Sequence, residues 1–337
     1  MHEARLWEKN QDNSVRCNLC RFRCHIADGK RGICGVRENR SGTLFSLVYG
    51  RSVASNIDPI EKKPLFHLLP GSLSYSVATV GCNFRCRHCQ NYQIAQWSRE
   101  NDSIPGENLS PEEIVKAAIK SGCDSISYTY TEPTIFFEYA YDTAVLARAA
   151  GLKNIFVTNG YISPEALEGI APYLDAANID LKGYSEQFYQ DVTGASLQGV
   201  LETLKDYKRL GIWVEVTTLI IPNHNDDEEQ LQNIANFIAG ELDVSTPWHV
   251  TAFYPTYKMV DEPPTPVETL ERARRIGLEA GLHYVYTGNI PGADGESSLC
   301  PECGEVVIGR HGFRLTENRL KDGACGYCKK PLAGIWR

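Results

Sequence analysis

The amino-acid sequence predicts an α/β chain: a partial (β/α)6 barrel carrying small cysteine-rich, metal-binding modules at both ends. Three observations support this. Apolar, strand-like runs alternate with helical stretches six times between residues 74 and 279, the pattern of a parallel sheet with right-handed crossovers. Short polar motifs recur where these runs end, and parallel βα folds bind ligands at the carboxyl ends of their strands. Of the 12 cysteines, all but Cys123 are grouped near the termini and on one intervening loop. Six units fall short of a full eight-unit barrel.

Residues 1–70 hold Cys17, Cys20, Cys24 and Cys34 in a Gly- and Arg-rich stretch without helical periodicity. Residues 71–290 form the core, and 291–337 a terminal module. The first core strand spans 74–80. Ser110, Pro111 and Glu113 then supply an N-cap, a first-turn proline and a capping box, and Ile114, Ala117, Ala118 and Ile119 give that helix an apolar side. The remaining strands are expected at 124–129, 154–158, 177–181, 212–221 and 248–253. Helices are expected at 134–150, 163–170, 197–209, 226–239 and 266–279. The proline-rich stretch 261–266 reads as a loop.

An apolar share of 42% and a charged share of 23% suit a soluble globular protein. A net charge of −8 disfavours a nucleic-acid binder. The absence of a long apolar run predicts no membrane span, and no signal-like segment opens the chain. Cysteines at two- and three-residue gaps in such a chain read as metal ligands in a reducing cytoplasm, not as disulfides.

Cys82, Cys86 and Cys89 form a C-x3-C-x2-C run directly after the first strand. Three thiolates on one short loop suit a [4Fe–4S] cluster with one iron left open for a ligand; a three-ligand zinc site is the alternative. Cys300, Cys303, Cys325 and Cys328 make two knuckles with the spacing of a four-cysteine zinc ribbon or rubredoxin-like site, and zinc is expected there. Cys17, Cys20, Cys24 and Cys34 suit either structural zinc or a second cluster. Cys123, alone before a strand, reads as a small buried hydrophobe.

The C-x3-C-x2-C loop resembles that of the radical S-adenosylmethionine (SAM) enzymes, and residues 74–290 are similar to the pyruvate formate-lyase activating enzymes. The resemblance implies that the cluster's open iron holds the amino and carboxylate groups of SAM. One electron then cleaves a C–S bond, and the resulting 5′-deoxyadenosyl radical abstracts hydrogen. It further implies a set of cofactor-binding residues. His88 takes the place of an aromatic that meets the adenine. Glu132 lies in Thr131-Glu132-Pro133, where the family has Gly-Gly-Glu-Pro to hold the SAM amino group. Thr158, Asn159, Asp180 and Lys182 match the family's Thr-Asn-Gly and Asp-Leu-Lys motifs, and Tyr254 stands where activating enzymes carry a histidine. No single catalytic residue is assigned.

The two cysteine-rich ends, with 61–70, 254–259, 263–266 and 285–289, resemble the AmmeMemoRadiSam-system radical SAM proteins over nearly the whole chain. This implies Memo-like and AMMECR-like partner proteins; an external one-electron donor of flavodoxin or ferredoxin type is expected, and, from charge and hydropathy, no nucleic acid or membrane. The substrate stays unnamed. Activation of a glycyl-radical enzyme is a second reading, and a non-catalytic Fe–S or zinc scaffold or redox sensor a third.

Overall fold

The computed structural model describes residues 1–290 and 295–337, so the predicted boundary at 291 lies outside the described residues. Its centre is one eight-stranded sheet. In chain order the strands are β1 (Ala54–Pro59), β2 (Leu73–Ala78), β3 (Ser125–Tyr128), β4 (Lys153–Thr158), β5 (Ala176–Asp180), β6 (Trp213–Ile220), β7 (Trp248–Ala252) and β8 (Val285–Gly288). Strands β2 to β8 run parallel with neighbours in sequence order, and β1 adds antiparallel to the β2 edge.

Six helices return the chain across the sheet: α1 (Pro111–Lys120), α2 (Phe137–Ala149), α3 (Pro164–Ile170), α4 (Leu197–Arg209), α5 (Glu228–Phe237) and α6 (Val267–Glu279). The capping box forms at α1, where Ser110 N donates to Glu113 Oε2 at 2.7 Å and Glu113 N to Ser110 Oγ at 3.3 Å. None of the helices among the described residues is long and apolar enough to cross a membrane.

The six predicted strands are present as β2 to β7, and the sheet gains β1 and β8. Both additions have weak strand signals. β1 carries Ser55, Asn56 and Asp58 and is largely exposed along an edge, while β8 is only four residues long and ends in glycine.

The two faces of the sheet are filled differently. On the helical face, Ile114 and Ala118 of α1 join Val77, Ile126, Phe156, Ile179, Val214 and Val216 in the main apolar core. The inner face is polar, and the chain's own segment 60–69 fills its lower half. Glu215 of β6 accepts from Phe66 N at 2.9 Å and His67 N at 2.8 Å. Asn178 Nδ2 donates to Pro64 O at 2.8 Å. Ile60, Leu65 and Leu68 pack on Ile155 and Ala176 near the strand starts.

The cysteine-rich ends dock at opposite ends of the barrel. The N-terminal module, two small three-stranded antiparallel sheets, meets the carboxyl end: Arg21 N donates to Tyr161 O at 3.1 Å and Ser163 N to Leu19 O at 3.1 Å. The C-terminal module meets the inner segment near the strand starts. Arg310 Nη2 donates to Phe66 O at 2.6 Å, and Ile335 N to His67 O at 2.7 Å.

Candidate active site

The cluster loop leaves β2 through Gly81, which must be glycine. Its φ is +101°, and a Cβ there would lie 2.7 Å from Val36 Cγ1 and 3.2 Å from the Cys34 carbonyl oxygen. The loop's backbone is tied on two sides. Arg85 N and Arg87 N donate to Thr193 O and Val192 O at 2.7 and 2.9 Å, and Lys258 N donates to Arg87 O at 3.0 Å. Arg99 clamps it from a third: Nη2 donates to Cys82 O at 2.9 Å and Asn83 O at 3.1 Å, Nη1 to Phe84 O at 2.8 Å, and Nε to Ile33 O at 2.9 Å.

Cys82, Cys86 and Cys89 are held on this loop in buried or half-buried positions. Burial pushes the Cys86 thiol up to about 12, with Lys182 opposing the shift. Burial, reinforced by Glu132, moves Cys82 the same way. Such thiols ionise when a bound metal supplies compensating charge. Their sulfurs do not gather within 4.8 Å of one another as ligands of a single ion do, which suits a cluster whose cysteines each take a different iron. Donors already face them: Phe84 N lies 3.4 Å and Asn159 Nδ2 3.7 Å from Cys82 Sγ. Asn83 Nδ2 and His88 Nδ1 are buried without a partner among the described residues. A buried loop of three thiols with inward donors and two orphaned polar atoms fits an anionic cluster and a polar ligand beside it.

The strand ends supply the rest of the site. Lys182 Nζ pairs with Asp180 Oδ2 at 2.7 Å just past β5. Burial opposes the lysine's charge, but Asp180 and Cys86 outweigh it and hold the ammonium above its ordinary pKa. His88 is buried, not superficial, and burial pulls it down to about 3, so the ring is neutral. The charge of Lys182 reaches both His88 and Cys89.

Glu132 stands one layer back. Its carboxylate accepts from Thr134 N (3.0 Å), Thr134 Oγ1 (2.6 Å), Thr158 Oγ1 (2.7 Å) and Asn159 N (2.8 Å). Four donors from the chain itself make it a brace between the ends of β3 and β4. Asn159 passes the brace forward, donating to Asn83 Oδ1 at 2.7 Å. Tyr254 is exposed, and its hydroxyl donates to Asn289 O at 3.1 Å.

The structure therefore gathers Cys82, Cys86, Cys89, His88, Asn159, Asp180 and Lys182, sets Glu132 and Thr158 behind them, and leaves Tyr254 on the rim. Sequence reasoning missed Arg99, Asn83 and Tyr189, whose buried hydroxyl accepts from Lys182 N at 3.0 Å. It also missed Tyr130, at φ +63°, whose hydroxyl donates to Asp58. Asp58 accepts in addition from Lys63 Nζ at 2.6 Å and Ser76 Oγ at 2.7 Å. Asn83, inside the cysteine loop, and Tyr130, which opens the run 130–133 at a strand end, had a positional signal; Arg99 and Tyr189 had none.

The C-terminal cysteines form a compact tetrad. Cys300 and Cys328 sulfurs lie 3.6 Å apart and those of Cys303 and Cys325 3.8 Å apart, all four within 4.8 Å. A metal–sulfur bond of ~2.3 Å in a tetrahedron gives an edge of ~3.8 Å, so the tetrad has the size of a mononuclear S4 site. Cys17, Cys20, Cys24 and Cys34 are buried or half-buried near one another, with Cys17 N donating to Cys24 O at 2.9 Å.

Residues 76–238 match the family model described as the Radical SAM superfamily. A Methanocaldococcus jannaschii protein described as uncharacterized protein MJ0808 is 51% identical over 334 residues, spanning 98% of this chain and 99% of the relative. The pyruvate formate-lyase-activating enzyme of Clostridium pasteurianum is 24% identical over 214 residues, or 60% of this chain and 87% of that enzyme. A radical SAM methyltransferase from Sphaerobacter thermophilus is alike in fold, with a TM-score of 0.51 at 14% identity over 65% of this chain and 67% of that one.

Proposed function

The chain belongs to the radical SAM superfamily, and from that premise we propose that it cleaves SAM reductively and abstracts hydrogen from a second substrate. The observation that carries the reading is one juxtaposition: one buried and two half-buried cysteines on a braced loop beside the half-buried Asp180–Lys182 pair. Cys82, Cys86 and Cys89 would hold the cluster. When bound, a reduced [4Fe–4S] cluster supplies the electron that splits SAM into methionine and a 5′-deoxyadenosyl radical.

The chain's own residues bind and orient. Lys182 keeps its proton and offers a fixed cation to the SAM carboxylate, and Asp180 aims it. Asn159 directs its amide at the Cys82 sulfur. His88, neutral and flat, offers a stacking surface for the adenine. Glu132 holds Thr158 and Asn159 in register; with its oxygens already engaged, it serves the site as a brace and not as the ammonium acceptor that the motif implies.

Similarity to the activating enzyme covers 60% of the chain, and both cysteine-rich ends accompany the core. We therefore assign the chain to the AmmeMemoRadiSam arrangement, working with Memo-like and AMMECR-like proteins, in preference to glycyl-radical activation. The test is anaerobic reconstitution, reduction with dithionite, addition of SAM and assay of 5′-deoxyadenosine by mass spectrometry. Cys86→Ala is expected to abolish the product and keep the C-terminal metal. An intact cluster that binds SAM yet yields no 5′-deoxyadenosine would overturn the proposal.

A further inference from the structure

We infer that Cys17, Cys20, Cys24 and Cys34 hold a second [4Fe–4S] cluster, set against the loop that carries the first. The sulfur spacing separates this group from the C-terminal one. Among the described residues only Cys300, Cys303, Cys325 and Cys328 bring three or more such ligand atoms within 4.8 Å of one another. The N-terminal four do not, and in this they match Cys82, Cys86 and Cys89. Yet they converge: Cys17 N donates to Cys24 O at 2.9 Å, Cys17 and Cys34 share one core with Cys24 packed against it, and Cys20 is buried. Four converging thiols too widely spaced for one ion are the donor set of a cubane, in which each thiolate takes a separate iron.

Arg37 is an independent pointer to an anion. It is 1% exposed and stands three residues after Cys34, next to Val36 of the same core. One nitrogen is engaged, Nη2 donating to Arg5 O at 2.6 Å and Glu138 Oε1 at 3.0 Å. Nε and Nη1 are buried with no partner among the described residues. Unpaired N–H groups on a buried cation are costly, and an iron–sulfur cluster with four thiolates provides a negative group for them.

Position suggests what the cluster does. Arg99 binds Ile33 O, next to Cys34, and Cys82 O through one guanidinium, each at 2.9 Å. Ser98 Oγ donates to Cys34 O at 2.9 Å. The two cysteine groups thus share one clamp. A reduced one-electron donor of the flavodoxin or ferredoxin class gives one electron to the outer cluster, which returns to its oxidised state on passing that electron to the inner one.

The test is independent of SAM cleavage. The full-length Cys82→Ala/Cys86→Ala/Cys89→Ala variant is reconstituted anaerobically with ferrous iron and sulfide, then assayed for iron, acid-labile sulfide and Mössbauer spectrum. About four irons with about four sulfides per chain are expected to remain, and Cys17→Ser/Cys34→Ser added to it should remove them. Zinc alone, or iron without sulfide, would overturn the inference. Should the triple variant fail to fold, the wild-type protein decides: about eight cluster irons support the inference, and about four with zinc in the N-terminal site refute it.

Discussion

Arg99 offers the sharpest test of how the site is held. Arg99→Met keeps the apolar stem and removes every donor from the guanidinium. Phe84 O retains Gln96 Nε2 at 3.2 Å, but Ile33 O, Cys82 O and Asn83 O rely on Arg99 among the described residues. At about 1 kcal/mol for each net hydrogen bond, losing three costs ~3 kcal/mol. Opening of the cluster loop then becomes roughly a hundredfold more favourable. The assay is anaerobic release of iron to a coloured chelator, followed with protein in excess of background iron. Cys34 shares the clamp, so both N-terminal and loop iron should leave faster. Arg99→Lys rescues only in part, because an ammonium cannot fork across separate carbonyls. Arg209→Met is the control: its pairs with Glu168 and Asp206, at 3.2 Å each, are exposed and are worth under about 1 kcal/mol. Iron release from Arg99→Met at the wild-type rate would refute the clamp.

Three further outcomes are expected. Lys182→Met should weaken SAM binding roughly 10- to 150-fold, the range for losing a charge-assisted hydrogen bond, with the cluster's absorbance retained; unchanged affinity in equilibrium titration would remove Lys182 from the site. Burial pulls His67 down to about 4, against about 6.5 in an unfolded chain. Between these values the unfolded chain holds a proton that the folded one does not, so this contribution is intact above about pH 6.5 and is lost on acidification, by ~3 kcal/mol at pH 4. His67→Gln should flatten that slope in denaturant titrations, and an identical slope would count against it. Cys303→Ser should lower metal content by about one ion and open 295–337 to protease with β2 to β8 still protected; a stable metal-free module would show that the tetrad is dispensable.

Much of this organisation was legible because local chemistry and tertiary role coincide. Strands buried on both faces, such as β4 and β6, are rich in β-branched and aromatic residues, and Ser110, Pro111 and Glu113 mark a helix start without reference to the rest of the chain. The cysteine loop was legible because few other uses fit three cysteines at that spacing, and the Asp180–Lys182 pair through its resemblance to the activating enzymes' Asp-Leu-Lys motif. What escaped has its meaning only in three dimensions. Arg99 sits in a four-residue helix, Trp97–Glu100, with nothing local to distinguish it from a surface arginine. Glu132 shows the converse. Its motif points to an ammonium, but the four donors that occupy it come from residues 134, 158 and 159, and only folding brings the last two there.

The placement of the two cysteine-rich ends also argues for a division of labour that their shared count of four cysteines conceals. The C-terminal module is anchored near the strand starts by Arg310, whose guanidinium lies 4.2 Å over the Phe66 ring and binds Phe66 O. In βα barrels that end serves stability, and chemistry occupies the other. The module that carries the compact tetrad holds Phe66 and His67 of segment 60–69 there, through Arg310, Ala333 and Ile335. The N-terminal module abuts residues 161–163 and Gly81, on the chemical rim. With the lower half of the inner face filled, a substrate must enter from that same rim. Perturbing the two modules should therefore separate cleanly: metal loss at Cys300–Cys328 would lower stability before cluster chemistry, and loss at Cys17–Cys34 would impair delivery of electrons to a barrel that remains folded.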